Sequence, residues 1–316
     1  MLAYPPAFRS VICESDGSEG NKRHKLGPHL AIIGRCHGHR SWLVGGHMHQ
    51  DYRELSLDEL ESVEKQTLRT IVQALQQYSK EAKSIFETTA ADSSGEVIVL
   101  AEDITQYALE VAETYPINRR FAGFIDYKRV RWLPSPHGLL PQVLLVDAKA
   151  STEKNRDTLQ RSQLPMDAEF RNTSSGEVVT MEAGVIPHLM LQSANDGVLP
   201  AVTTSIFVHF YYRELKDVEG RYRELKSIYV LSLPHARLKQ RYNPDPDTSF
   251  FGAGKHSPAR GEVARIRVYF DRLKEACPWR LQELHYSADS EYTQPRWRDL
   301  NDAGHEVTKE FLFLER

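Results

Sequence analysis

A chain of 316 residues, 41% hydrophobic and 26% charged, has room for one large core or two small ones. No apolar run nears the roughly 20 residues of a membrane helix, and the N-terminus lacks the apolar core of a signal peptide. A net charge of −3 argues against a protein that coats nucleic acid by overall attraction, though not against a nuclease, whose metal site itself contributes acids. Three scattered cysteines, Cys13, Cys36 and Cys277, form no disulfide framework and predict a reducing, cytoplasmic setting.

Residues 1–47 carry six lysines and arginines against three acids, and six of the 13 histidines fall at or before His49. With short apolar runs and no helix or strand period, this segment is expected to be a poorly ordered extension. Gly45-Gly46-His47-Met48 can be encoded GGA-GGT-CAY-ATG, a ribosome-binding sequence before a start codon. The expectation is that the native protein starts at Met48 and that 48–316 form a single domain. Cys36-His-Gly-His39 and His47-Met-His49 suggest zinc ligands, but no second pair stands at zinc-finger spacing.

Ser56-Leu-Asp-Glu59 is a capping box. Leu57, Leu60, Leu68, Ile71, Val72, Leu75, Ile85 and Phe86 then predict one long amphipathic helix to about Thr88. Ala91–Gly95 is expected to be a loop, and Ile104–Thr114 a second helix ending before Pro116. Two apolar runs, Phe121–Asp126 and Val143–Lys149, read as strands that end in charge. Residues 151–200 are polar with few periodic signals. Ser205–Tyr212, Ser227–Leu233 and Glu262–Phe270 read as further strands, and His235–Arg241 as a short helix. This order predicts an α/β (α+β) fold with a central mixed sheet flanked by helices.

Asp-x-Lys or Glu-x-Lys occurs five times: Glu81/Lys83, Asp126/Lys128, Asp147/Lys149, Glu214/Lys216 and Glu224/Lys226. Only Asp147/Lys149 follows four consecutive aliphatic residues, Val143–Val146. Residues two apart on a strand point the same way, so Asp147 and Lys149 share a face while Ala148 takes the other. Asp126 can join them from the adjacent strand. A buried ion pair is the alternative, but a second carboxylate beside Asp147 would repel it without a cation. Two hard carboxylates, Asp126 and Asp147, suit Mg²⁺, and Lys149 can stabilise the charge that develops on phosphate. Glu110 and Glu113, on the preceding helix, could add a metal carboxylate, against a solvated helix face.

Asp126 followed by Asp147-Ala-Lys149 resembles the PD-(D/E)xK signature of restriction-endonuclease-like nucleases, with Ile125 where a proline usually precedes the first acid. From Met48 to Arg316 the chain resembles a type II restriction endonuclease of that superfamily over essentially its whole length. The resemblance implies a restriction-endonuclease-like core and Mg²⁺-dependent cutting of double-stranded DNA at the interrupted palindrome GGCCNNNNNGGCC. It also implies a homotetramer that engages two sites and cleaves them in concert. The other readings are a repair or recombination nuclease of this fold and a non-catalytic DNA-binding regulator.

GC-rich half-sites call for arginine or lysine donors at guanine O6 and N7. Arg265 and Arg267 alternate with Ala264, Ile266 and Val268, so both guanidinium groups share one strand face. The resemblance favours base reading there over a solvated face. Lys255 and His256, in the loop before this strand, are weighed evenly against an ordinary surface loop. Asn155 and Arg156, after the catalytic strand, are within reach of phosphates or base edges.

Overall fold

The computed structural model describes residues 9–11, 42–44, 47–49, 52–88, 94–112, 114–116, 129–133, 142–152, 156–193, 197–216, 221–254, 265–287, 290–294 and 296–310. In chain order the elements begin with β1 (Arg9–Val11), β2 (Trp42–Val44) and β3 (His47–His49), followed by α1 (Leu57–Gln77), α2 (Ser79–Thr88) and α3 (Ser94–Val111). Then come β4 (Tyr115–Pro116), β5 (Arg129–Leu133), β6 (Gln142–Ser151), β7 (Arg156–Leu159), β8 (Ala168–Arg171), β9 (Val178–Met181) and β10 (His188–Ser193). β11 (Gly197–Lys216), β12 (Arg221–Leu233), α4 (Lys239–Tyr242), β13 (Phe251–Ala253) and β14 (Ile266–Tyr269) lead to α5 (Phe270–Ala276), β15 (Leu281–His285), β16 (Arg296–Leu300) and β17 (Glu306–Glu310).

The capping box forms as expected. Glu59 N–H donates to Ser56 Oγ at 3.2 Å and Ser56 N–H to Glu59 Oε2 at 2.7 Å, a device worth about 1 kcal/mol. The single helix expected to Thr88 is instead two, parted at Tyr78. There the backbone leaves helical geometry (φ −95°, ψ 10°). Tertiary bonds hold the next residue: Tyr286 donates its hydroxyl to Ser79 O at 2.6 Å, and Thr293 N–H donates to Ser79 Oγ at 3.4 Å. α3 begins at Ser94, ten residues before the expected Ile104. Its start is rich in β-branched residues and reads poorly as helix. Burial of Val97, Ala101, Ile104, Ala108 and Leu109 at helical spacing overrides that preference.

The central sheet is mixed, as expected. Its order is β1-β10-β11-β6-β5-β4, with β12 pairing both β11 and β15. β6 runs parallel to β11 and antiparallel to β5. α3 packs on β6, and α1 and α2 pack on β12. Because both faces of β6 are covered, Val143, Leu144, Leu145 and Val146 are all fully buried. This is why the strand reads as a continuous apolar run rather than an alternation. A second sheet, β13-β14-β7, stands beside it. The polar stretch 151–200, which had no legible period, supplies β7 to β10. The last expected strand is shorter than read, since Phe270 already opens α5.

Candidate active site

β6 delivers Asp147 and Lys149 where it emerges from the core: burial is complete through Ala148 and partial from Lys149 on. Asp147 is 6% exposed. The Lys149 ammonium lies 2.8 Å from Asp147 Oδ2. It also donates to the Thr158 carbonyl at 2.9 Å and lies 4.0 Å from Asp157 Oδ1. Gln163 donates its side-chain amide to the same Asp147 oxygen at 3.0 Å. That amide's orientation is fixed because its Oε1 accepts the Gln160 N–H at 3.0 Å. Opposite Asp147 on β11 stands Phe207, whose buried ring lies 6.0 Å from the ammonium and walls this side of the site.

Two acids therefore face one base. Burial pushes the Asp147 carboxyl above the ordinary carboxylate range and outweighs the Lys149 ammonium; Asp157 adds to the rise. For Lys149, burial pulls the other way, but Asp157 and then Asp147 overcome it and hold the ammonium above the ordinary lysine range. In a balanced pair the acid would fall while the base rose. Both rise here because burial and a second carboxylate oppose charge on Asp147.

Of the five Asp/Glu-x-Lys pairs, Asp147/Lys149 is the buried one among the described residues. Glu214 and Lys216 are exposed, and Glu224 and Lys226 pair with each other at partial exposure. Glu81 and Lys83 lie on α2. Asp126 and Lys128 lie outside the described residues, as do Glu113, Asn155, Lys255 and His256. Glu110 lies 3.6 Å from Arg131 and is half exposed, in keeping with a helix surface.

Among the described residues no group of three or more His, Cys, Asp or Glu side chains stands ready to hold a metal. The donor chemistry still fits a hard divalent cation. Asp147 Oδ2 takes both Lys149 and Gln163, so Oδ1 carries neither bond.

The alternation read at β14 is present. Ile266 and Val268 are buried at 1%, while Arg265 and Arg267 are partly exposed. Gly254 N–H donates to the Arg265 carbonyl at 2.9 Å, and a Cβ on Gly254 would stand 2.4 Å from that oxygen, so only glycine allows the approach. Arg156 belongs to β7, with its backbone opposite Tyr269. Thr158 is opposite Arg267. Arg265 lies near enough for its charge to oppose that of Lys149. The candidate reading strand and the lysine thus meet through β7. Asp157, Thr158 and Gln163 were not singled out from the sequence, because no apolar run precedes them to mark their charge or polarity as unusual.

The type II restriction enzyme SfiI family matches residues 61–284. A solved structure of the tetrameric restriction endonuclease SfiI bound to cognate DNA is 99% identical, with a TM-score of 0.76, over 85% of this chain and 100% of that one. Restriction endonuclease BglI bound to its DNA recognition sequence is 14% identical, with a TM-score of 0.56, over 72% of this chain and 91% of that one, a likeness of fold. Enzymes of this type generally need a divalent metal, and the readings as a repair nuclease or a non-catalytic regulator give way. The chain belongs to the SfiI family of type II restriction enzymes and is a site-specific DNA endonuclease.

Proposed function

We propose that this enzyme cuts double-stranded DNA at GGCCNNNNNGGCC with Mg²⁺, as a homotetramer that engages two sites and cleaves them in concert. Asp126, Asp147 and Lys149 form the cleavage centre, and Arg265 and Arg267, with Lys255, Asn155 and Arg156, contact the DNA. The assembly is supported by the near-identical endonuclease, which is a tetramer on cognate DNA. The centre rests on one observation above all: Lys149 is held 2.8 Å from a buried Asp147 where the central strand leaves the core.

The metal, when bound, polarises the scissile phosphate and makes its water a better nucleophile. Asp147 offers it Oδ1. Asp126 is the second carboxylate; β5 starts three residues later at Arg129, paired with Val146 beside Asp147, a span of about 10 Å at most. An ammonium has three donors. Lys149 spends two on Asp147 and the Thr158 carbonyl, which leaves one for the phosphate or the attacking water. Residues 48–316 form the endonuclease domain, and the family match lies wholly within them.

Digestion of plasmids carrying one or two copies of the site, with and without Mg²⁺, followed by sequencing of the ends, tests the whole reading. The expected result is cutting at this site alone, only with metal, and faster on two copies. Cutting at unrelated sequences, or equal cutting without metal, would overturn it.

A further inference from the structure

β7 has two partners. Its backbone pairs with β14, Thr158 with Arg267 and Asp157 with Val268. Its residues also reach the catalytic strand, since the Thr158 carbonyl accepts from Lys149 at 2.9 Å and the Asp157 carboxylate stands 4.0 Å from the same ammonium. Asp157 is 5% exposed. Its Oδ1 accepts the Thr158 N–H at 2.7 Å, but its buried Oδ2 accepts no hydrogen bond. A buried carboxylate oxygen left without a donor costs about 1–3 kcal/mol. Packing alone does not require that cost, because an apolar side chain of similar size would avoid it.

We propose that Asp157 is a positioning residue for Lys149, an inference that rests on the reading of Lys149 as catalytic. Asp147 has two demands on it, the ammonium and the metal. With Asp147 shared between the metal and the ammonium, a second anchor fixes where the ammonium points. Asp157 and the Thr158 carbonyl provide that anchor from the far side. Both sit on β7, which pairs with β14 so that Thr158 lies opposite Arg267, and the lysine is therefore set by the strand next to the one that carries the candidate DNA reader.

The test is Asp157→Asn, nearly isosteric and neutral, in the full chain with the plasmid substrate. Single-turnover cleavage is expected to fall about tenfold to a hundredfold, the scale of a misplaced catalytic group. Affinity for the recognition duplex without metal should stay within about twofold, and the half-saturating Mg²⁺ concentration should not move, because the residue neither reads DNA nor holds the metal. An unchanged rate overturns the proposal. Binding that weakens in step with rate makes Asp157 structural, and a raised Mg²⁺ requirement makes it a metal ligand; either also overturns it. If the Asn variant folds poorly by thermal midpoint, Asp157→Ser is measured against the same outcomes. Lys149→Ala in the same assay separates the two readings. If Lys149→Ala cleaves at full rate, the catalytic reading fails. If it is slow while Asp157→Asn is fast, only the positioning role fails.

Discussion

Two buried acid–base pairs of nearly equal length serve different ends. Glu64 and Arg280 meet at 2.7 Å with 1% and 0% of their side chains exposed. The surroundings take up both Glu64 oxygens and two of the three guanidinium nitrogens, with Arg280 Nε the exception. Glu64 Oε1 accepts the His235 N–H at 2.7 Å, and Arg280 also donates to the Ser232 carbonyl at 3.3 Å. The guanidinium sits 4.2 Å from the Tyr242 ring and 4.4 Å from that of Trp279. The other nearby acid, Glu61, is 4.0 Å from Arg280 and is itself taken by Arg241 and the Tyr242 hydroxyl. Asp147 and Lys149 meet at 2.8 Å, but the lysine side chain is 27% exposed and a second acid, Asp157, faces it with an oxygen unused. A sealed pair, closed to solvent on both sides, holds the core together because removing either partner strands a charge, even though Arg280 Nε has no hydrogen-bond partner of its own. An unsealed pair leaves its ammonium within reach of solvent, with a second acid beside it.

The contrast can be broken most directly at Asp147. Asp147→Ala should lower cleavage about ten-thousandfold or more, over 5 kcal/mol in barrier, while a mobility-shift assay still shows specific binding. Retained cleavage would mean that the pair is structural after all. Arg280→Ala should cost about 3–5 kcal/mol in urea unfolding, because it strands Glu64 in the core. A loss below about 1 kcal/mol, within the range of surface pairs, would erase the distinction. Arg267→Ala should weaken binding to the recognition site by about 1–3 kcal/mol and leave non-specific binding nearly unchanged; equal weakening on random DNA would make it a phosphate contact.

The smallest effect concerns pH and the sealed pair's neighbour. Arg237 N–H donates to His235 Nδ1 at 3.2 Å, so Nε2 carries the proton that goes to the Pro187 carbonyl at 2.9 Å. Burial holds His235 below its usual range, with Glu64 opposing. The unfolded histidine binds a proton near pH 6.5 and the folded one only at lower pH. Stability should therefore fall as pH drops below about 6.5, with a slope of at most about 1.4 kcal/mol per pH unit. Urea unfolding at pH 7.5 and 5.5 measures it, and His235→Gln should flatten the slope. An unchanged slope in that variant would place the pH dependence elsewhere.

Local pattern carried much of this. The apolar run before Asp147 marked a strand covered on both faces, and the two-residue spacing put Asp147 and Lys149 on one face. Serine three residues before glutamate marked the start of α1, and alternation separated Arg267 from Ile266 and Val268. Those features depend on residues close in sequence, where backbone geometry alone fixes direction. The division of the first helix at Tyr78 was not legible, because the bonds that capture Ser79 come from Tyr286 and Thr293, more than 200 residues away. Nor was the early start of α3, whose β-branched residues become helical only against the sheet.

By itself, then, the sequence determined that an aspartate and a lysine share a strand end and that two arginines share a strand face. The tertiary structure decided what surrounds them: Thr158, Asp157 and Gln163 around the lysine and its acid, and β7 between that lysine and Arg267. The reason is that a strand's period sets which way a side chain points, whereas its neighbours depend on sheet order and register, which only long-range pairing and burial select.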